Sequence, residues 1–484
     1  MGSYPKTDLT QLASFSELRG FVEAKMEEPG SFEEFERELG ARMRAVENDL
    51  KAAQLARYDV DAQVIRVGGQ ELRRCLEKEP KTYLSASGPV RVARNLFRPS
   101  GGGKSVCALD LRAGIVGGVC TPVLARQVSY AMGHMTSGET AALFVELGVE
   151  GPSSSTCDRV PKTIGKVWER NREQWESALR EQETIPAEAT VMAVSLDGVM
   201  VPDKEAQREA KAKREEKKKN LSKATGGPAG YREVGCGTVS LFDEEGNRLD
   251  TVRYGRAPEH KKKTLTEQLD AEVASILAAR SDLELVALAD GAEENWRYFA
   301  GPAWEHATKI VDHGHACQHL KAGLAAYYGK DNVEGRAEYE RLKVILKDQP
   351  GGVDDVIAEL RSLERKLRRE KKKKRGKLLR KERKYFDNQR DRMDYARYQE
   401  RGLPIGSGVV EAACKTLATQ RLKRSGMSWG DGKQPILTIR SLQQSGRWER
   451  AWALVAAEFQ ETPLVVETRG GLTILSQPGY AAAA

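Results

Sequence analysis

Along the first part of the chain, apolar positions recur at helical spacing. In SFEEFERELGARMRAVENDL, Phe32, Phe35 and Leu39 share one face and Ser31 stands where a capping side chain belongs. This predicts a helical region over 1–81. From 82 to 120 the pattern changes to alternation in YLSASGPVRVARNLF, followed by the turn at Gly101 to Gly103 and by SVCALDL, which predicts a small antiparallel β region. Helical periodicity returns over 121–185 in TPVLARQVSYAMG, TSGETAALFVELG and SSSTCDRVPKTIGKVWERN, divided at Gly133 and at Gly151-Pro152. The spacing is that of a helix-turn-helix, and of any other trihelical bundle. In the third segment Val160, Ile164, Val167 and Trp168 would face a core, leaving Ser154, Ser155, Arg159 and Lys162 outward to meet phosphates or base edges.

Beyond Pro186 strands are predicted. TVMAVSLDGVMV is an apolar, β-branched run interrupted by one acid, as suits a buried central strand. A low-complexity charged insert over 203–229 follows and is expected to be mobile. YREVGCGTVSLFD and NRLDTVRYGR flank the turn residues Glu244, Glu245 and Gly246 and read as a hairpin; KKTLTEQLDAEVASILAAR is an amphipathic helix; LELVALADG is a second buried run ending in an acid. Three strands, a helix and a further strand match the first half of a ribonuclease H sheet. The expected fold is multidomain α/β: a ribonuclease H-like mixed sheet with flanking helices over 186–465, holding a helical insertion at 300–400. A mostly α N-terminal region with the helix-turn-helix-like unit precedes it, and a tail over 466–484 follows. Within the domain, GLPIGSGVVEAACKTLATQRLKRSGMSW makes a glycine turn into a helix with Ser407 as N-cap.

Composition narrows the function classes. A chain of 484 residues exceeds what one core normally organises, so two to four domains are expected. The net charge of +8 is modest, but positive residues cluster at 361–386 and 204–223. Such clusters either release counterions from a phosphate backbone or are solvated helix faces. No signal region opens the sequence and no run of 18 apolar residues occurs, which points to a cytoplasmic protein that does not engage a membrane. The seven cysteines form no CxxC pair, arguing for reduced, buried thiols rather than a disulfide framework or a zinc ribbon.

Three acids stand out against this background. Asp197 lies in a strand whose neighbours Val194, Leu196, Val199 and Met200 predict burial, where an uncompensated carboxylate costs several kcal/mol. Asp290 ends another apolar strand just before Gly291, at the strand end where open α/β sheets place ligands. Glu411 falls in the first turn of its helix, with Lys415, Arg421, Lys423 and Arg424 following as phosphate contacts. Each alone is compatible with a structural role. Together they supply the oxygen ligands that a pair of divalent ions requires for phosphodiester chemistry.

The string RGLPIGSGVVEAACKTLATQRLKRSGMSW, with AVSLDGV and ALADGAEENW, resembles the DDE transposases of the ISKra-type insertion sequences over roughly residues 120–460. The resemblance implies a DDE triad of Asp197, Asp290 and Glu411 that binds two Mg2+ (or Mn2+) ions and acts on double-stranded DNA at insertion-sequence ends. It also implies transfer of those ends to target DNA by a homo-oligomer associated with the nucleoid. Asp312 and His315 in VDHGHACQHL match an Asp-x-x-His found after the second acid in related enzymes, an accessory pair of either orienting or packing role. His313, His315, Cys317 and His319 lack standard zinc spacing, and upstream only Cys107 and Cys120 stand where the family commonly has cysteine pairs. Two alternatives stay open: a structure-selective nuclease of the same fold, and a catalytically silent DNA-binding protein derived from a transposase.

Overall fold

In the computed structural model, which describes residues 11–27, 30–217, 230–460, 464–468 and 471–475, the chain divides into two units. One comprises Met1–Glu176 with Gly446–Ala484, the other Ser177–Ser445.

The first unit opens on α1 (Ala13–Glu27) and α2 (Phe32–Ala56), joined by Phe21 stacking on Phe35 at 5.7 Å. Ser31 sits at the N-cap of α2 without a side-chain capping bond. The chain then turns to strand earlier than its periodicity predicts: β1 (Val64–Val67), β2 (Gln70–Ser85), β3 (Gly88–Arg98) and the two-residue β4 (Val106–Cys107). Gly68 and Gly69, with φ of 54° and 80°, form the left-handed two-residue turn that folds β1 onto β2. Much of β2 is exposed on both faces, so its Glu, Lys and Arg residues show no buried alternation and read as helix. SVCALDL is strand only at its start and continues as α3 (Ala108–Arg112).

Three helices follow at the predicted segments, α4 (Pro122–His134), α5 (Ser137–Glu146) and α6 (Ser154–Glu181). Thr136 and Glu139 form a reciprocal capping box at the start of α5. On α6, Val160, Ile164 and Trp168 are buried while Ser154, Ser155 and Arg159 are exposed. Lys162 is half-buried and paired with Asp158 at 2.5 Å.

The second unit is built on β5 (Val191–Pro202), β6 (Tyr231–Phe242), β7 (Arg248–Arg256), β8 (Glu284–Ala289) and β9 (Thr308–Val311), in the order β7-β6-β5-β8-β9. β5, β6 and β7 pair antiparallel, whereas β8 runs parallel to β5 and β9 parallel to β8. This mixed sheet is compatible with a ribonuclease H-like fold. The insert after β5 begins as α7 (Lys204–Lys217) rather than as irregular chain; its positions 218–229 lie outside the described residues. Helix α8 (Lys263–Ala279) lays Leu265 and Leu269 against Gly235 and Gly237 of β6, so close that a Cβ on Gly237 would stand 2.9 Å from Leu269. After α9 (Glu293–Tyr298), the helical insertion comprises α10 (His313–Tyr328), α11 (Val333–Asp348), α12 (Gly352–Arg369), α13 (Lys373–Gln389) and α14 (Tyr395–Glu400). Leu320, Leu360, Leu379 and Phe386 from these helices share one apolar core with Val194, Val286 and Leu288 of the sheet.

The segment around the third acid forms α15 (Gly408–Ala413), one π turn over Cys414–Thr419 and α16 (Gln420–Leu422), before α17 (Lys433–Gln444) packs on β7. The chain then returns to the first unit as α18 (Trp448–Glu458), β10 (Leu464–Thr468) and β11 (Gly471–Leu475). Within that unit Glu449 pairs with Arg126 and Glu458 with Arg170. β10 adds to β1, completing a six-stranded antiparallel sheet. The expected tail over 466–484 therefore begins as sheet, because LVVET pairs with β1 some 400 residues upstream and GLTIL pairs in turn with LVVET. Positions 476–484 lie outside the described residues. Among the described residues no helix is long and apolar enough to cross a membrane.

Candidate metal-binding carboxylate site

Strand register brings the first two acids to one place. β5 and β8 are in parallel register through Ser195 and Leu288, and Asp197 and Asp290 each lie two positions further on, so they share a sheet face at neighbouring positions. Val191 to Leu196 and Val286 to Ala289 are buried, while both aspartates emerge half-exposed as the strands leave the core. Asp290 Oδ1 accepts from the backbone N–H of Ala292 at 3.0 Å and from Asn295 Nδ2 at 2.9 Å; the same amide lies 3.5 Å from the Leu196 carbonyl. Asn295 thereby ties the second acid to the strand bearing the first.

Around Asp197 the chain is tightly fitted. Its Oδ1 accepts from Gly198 N at 2.6 Å, and its Oδ2 accepts from the Cys414 thiol at 3.6 Å. Cys414 donates because its thiol is held protonated by a hydrogen bond to Cys236, by burial and by the negative field of Asp197. Cys236 lies directly across β6 from Asp197. On the other side, a Cβ on Gly198 would fall 1.8 Å from Glu233 Oε1, the carboxylate that pairs with Lys262 at 2.9 Å. Burial opposes charge on Lys262, but the hydrogen bond to Glu233 and the fields of Glu233, Glu294 and Asp197 raise its pKa above the ordinary lysine value. Lys261 and Lys262 both have left-handed backbones, with φ of 54° and 51°, so this corner is held in a strained conformation.

The third acid lies on α15. Cys414, which touches Asp197, lies three residues after Glu411 on the same helix. Glu411 is half-exposed; its Oε1 accepts from Ser407 Oγ at 3.4 Å and lies 3.8 Å from His315 Nδ1. Ser407 therefore spends its hydroxyl on Glu411 rather than on capping the helix.

Asp312, at the N-terminus of α10, is buried. Its Oδ1 accepts from His315 N at 2.5 Å and from His315 Nδ1 at 3.0 Å, and its Oδ2 accepts from Ser407 N. Burial would raise its pKa, but these donors bring it down to about 2. His315 moves the other way: the bond to Asp312, against some burial, and the fields of Asp312, Asp290 and Glu411 raise its pKa above the ordinary value. Asp312, His315 and Glu411 are the one group among the described residues whose potential ligand atoms all lie within 4.8 Å of one another. Both Asp312 oxygens are engaged by donors, as are both oxygens of Asp197, whereas the donors to Asp290 and Glu411 reach only Asp290 Oδ1 and Glu411 Oε1.

Several expectations need revision. Arg421 is only 2% exposed, with its guanidinium over the Trp429 ring at 5.0 Å, so it is no surface phosphate contact. The π turn explains this, since one additional residue per turn rotates the succeeding side chains toward the interior. Lys415, Lys423 and Arg424 remain exposed, the last two just beyond α16. Of the pair expected as accessory, His315 lies 3.8 Å from the third acid, and Asp312 holds His315 and the backbone N–H of Ser407. His313 and His319 take separate partners, His313 with Cys317 at 3.5 Å and His319 with Glu382 at 2.6 Å, and among the described residues His313, His315, Cys317 and His319 do not gather at one point. Lys262, Asn295 and Tyr385 went unrecognised. Tyr385 lies against Gly291, where a Cβ would stand 2.1 Å from its ring, and its pKa is raised by burial, Asp290 and Asp312. Only Asn295, five residues after Asp290 in ADGAEENW, had a local signal.

No protein-family model matches this chain, and no curated protein matches it in sequence. Among solved structures it is similar to a Drosophila P element transposase strand transfer complex, with 11% identity over 69% of this chain and 80% of that one and a TM-score of 0.23. A likeness that loose decides nothing about this chain.

Proposed function

We propose that the protein is a metal-dependent DNA transposase that cleaves at the ends of an insertion sequence and joins them to target DNA, in the manner of the ISKra-type DDE enzymes its sequence resembles. The observation carrying this reading is the in-register placement of Asp197 and Asp290 on adjacent parallel strands, with Glu411 one helical turn from the thiol that touches Asp197. Oxygen donors at the exposed end of a buried sheet would suit Mg2+ or Mn2+. Two such ions would supply activation of the attacking hydroxyl and neutralisation of the leaving oxygen.

The chain's own residues do the rest. Asp197, Asp290 and Glu411 would hold the cations. Asn295 and Cys414 fix the orientation of the two aspartates, and the Asp312–His315 pair fixes Glu411. Lys262 balances the acids from the β6 side. Lys415, Lys423 and Arg424 contact the phosphates flanking the scissile bond, while Arg159 and Lys162 present α6 to DNA. The enzyme works as a homo-oligomer joining two ends, in the cytoplasm at the nucleoid.

Purified protein on labelled element-end DNA tests this. Nicking and end joining are expected with Mg2+ and lost in Asp197→Ala and Glu411→Ala, with DNA retention preserved. Metal-dependent nicking without joined products would favour a structure-selective nuclease. Retention without any metal-dependent cleavage would favour a silent DNA-binding protein.

A further inference from the structure

The helical hairpin of α12 and α13 forms an open groove of about 730 Å³, and eight of its eleven lining residues are lysine or arginine. Lys372 pairs with Glu370, Lys381 with Glu382 and Arg380 with Glu364. No carboxylate pairs among the described residues with Arg368, Lys371, Lys373, Lys377 or Lys384. The platform beneath them is rigid: Leu363 and Leu367 of α12 and Leu379 and Phe386 of α13 are fully buried, and Arg375 donates to the Ala326 carbonyl at 2.8 Å.

Local stability does not account for this charge. Lys372, Lys373 and Lys374 occupy the N-terminus of α13, where the helix dipole is already positive and repels them. Lys371, in the turn between the helices, has φ of 56°, a left-handed backbone that glycine adopts without strain. The hairpin thus keeps lysines where helix and turn both disfavour them. A helix N-terminus of this kind, with added cations, binds phosphate.

We infer that the α12–α13 groove grips the phosphate backbone of double-stranded DNA and guides it toward the carboxylate site. The ladder Lys373, Lys377 and Lys384 climbs one face of α13 and ends beside Tyr385, which lies against Gly291 next to Asp290. By helix rise Lys373 and Tyr385 are about 18 Å apart along the axis. At 3.4 Å per nucleotide of one strand, that span covers about five nucleotides. The groove takes its partner from the DNA substrate of the foregoing proposal, but backbone binding needs neither metal nor cleavage.

The experiment is fluorescence anisotropy of the full chain with a duplex of arbitrary sequence, in EDTA, over a series of NaCl concentrations. It compares wild type with the triple variant Lys373→Gln/Lys377→Gln/Lys384→Gln, its all-Arg counterpart, and a charge-matched control, Lys104→Gln/Lys263→Gln/Lys330→Gln. Each lost phosphate contact lowers the slope of log K against log[salt] by about 0.9, so the ladder variant should be shallower by about 2.7. The all-Arg variant and the control should keep the wild-type slope. A ladder variant within about 0.5 of the wild-type slope overturns the proposal, as does a loss of binding to anionic vesicles with duplex binding intact. Because no cleavage is read, failure here leaves the nicking test of the triad untouched.

Discussion

Asp203 and Lys433 allow the packing around the site to be tested quantitatively. The carboxylate is 1% exposed and the ammonium 11%, and the two are in direct contact. Asp203 Oδ1 also accepts from Ala206 N at 2.9 Å, opening α7, and lies 3.7 Å from Arg232 Nε. Through this pair the end of β5, the strand of Asp197, is fastened to the start of α17; Lys204 N donating to Trp429 O at 3.0 Å fastens the intervening loop. Replacing Asp203 by Asn leaves a buried ammonium without its anion, which costs about 3–5 kcal/mol. For a unit of this size that lowers its Tm by roughly 6–20 °C. The double change Asp203→Leu/Lys433→Met should recover most of the loss, since an apolar pair of similar volume tolerates the same burial.

The pH dependence follows from the same pair. Burial would raise the Asp203 pKa, but the Lys433 hydrogen bond, the Ala206 N–H and the charges of Lys433 and Arg232 hold it below the ordinary 3.8. The stabilisation is therefore complete above that ordinary value and is lost as pH falls through the lower folded one. Calorimetric melting of wild type, both single variants and the double variant, at pH 7 and at a pH well below 3.8, reads both effects. A single variant costing less than about 1 kcal/mol, or a double variant as unstable as the sum of the singles, refutes the buried-pair argument.

Other consequences are as direct. Gly198→Ala should displace the Glu233 carboxylate that a Cβ would meet at 1.8 Å, releasing Lys262. Metal-dependent nicking should fall on the order of 10²-fold with melting little changed, and unaltered nicking would remove Lys262 from the site's electrostatics. Gly352→Ala drives a Cβ to 2.0 Å from the Ile345 carbonyl, a backbone atom, so unit-level stability should drop by about 1–3 kcal/mol in a urea melt; an unchanged midpoint counts against the close approach of α11 and α12. Thiol labelling at pH 8 should modify Cys75 quickly and the other six only after denaturation, because those six are buried and burial raises Cys107, Cys120 and Cys157 to about 11, 12 and 11. Two fast thiols in the native protein would contradict that burial.

How much was readable in the sequence depended on how each residue earns its position. Runs such as Val191–Leu196 and LELVALA announce buried strands because both faces are apolar, and the β6–β7 hairpin shows in its turn, where Asn247 N donates to Asp243 Oδ1 at 2.7 Å. Strand β2 was misread because charged residues exposed on both faces leave no period of two. The strand character of LVVET depends on pairing with β1, a contact that no local pattern encodes, and GLTIL pairs onto LVVET. Of the site, the acids themselves were legible because isolated carboxylates interrupt apolar runs. Their supports were not: Lys262 meets Asp197 across a hairpin, Tyr385 meets Gly291 across an insertion, and the π turn changes the face on which Arg421 lies.

The most direct measurement is a Mn2+ titration of the full chain by electron paramagnetic resonance. Wild type is predicted to take up about two ions per chain. Asp197→Asn, Asp290→Asn and Glu411→Gln should each lose at least one, while Asp312→Asn, which removes a partner of His315 rather than an ion ligand, should keep both and bind them more loosely. Wild-type uptake in all three acid variants, or loss confined to Asp312→Asn and His315→Ala, would contradict the account.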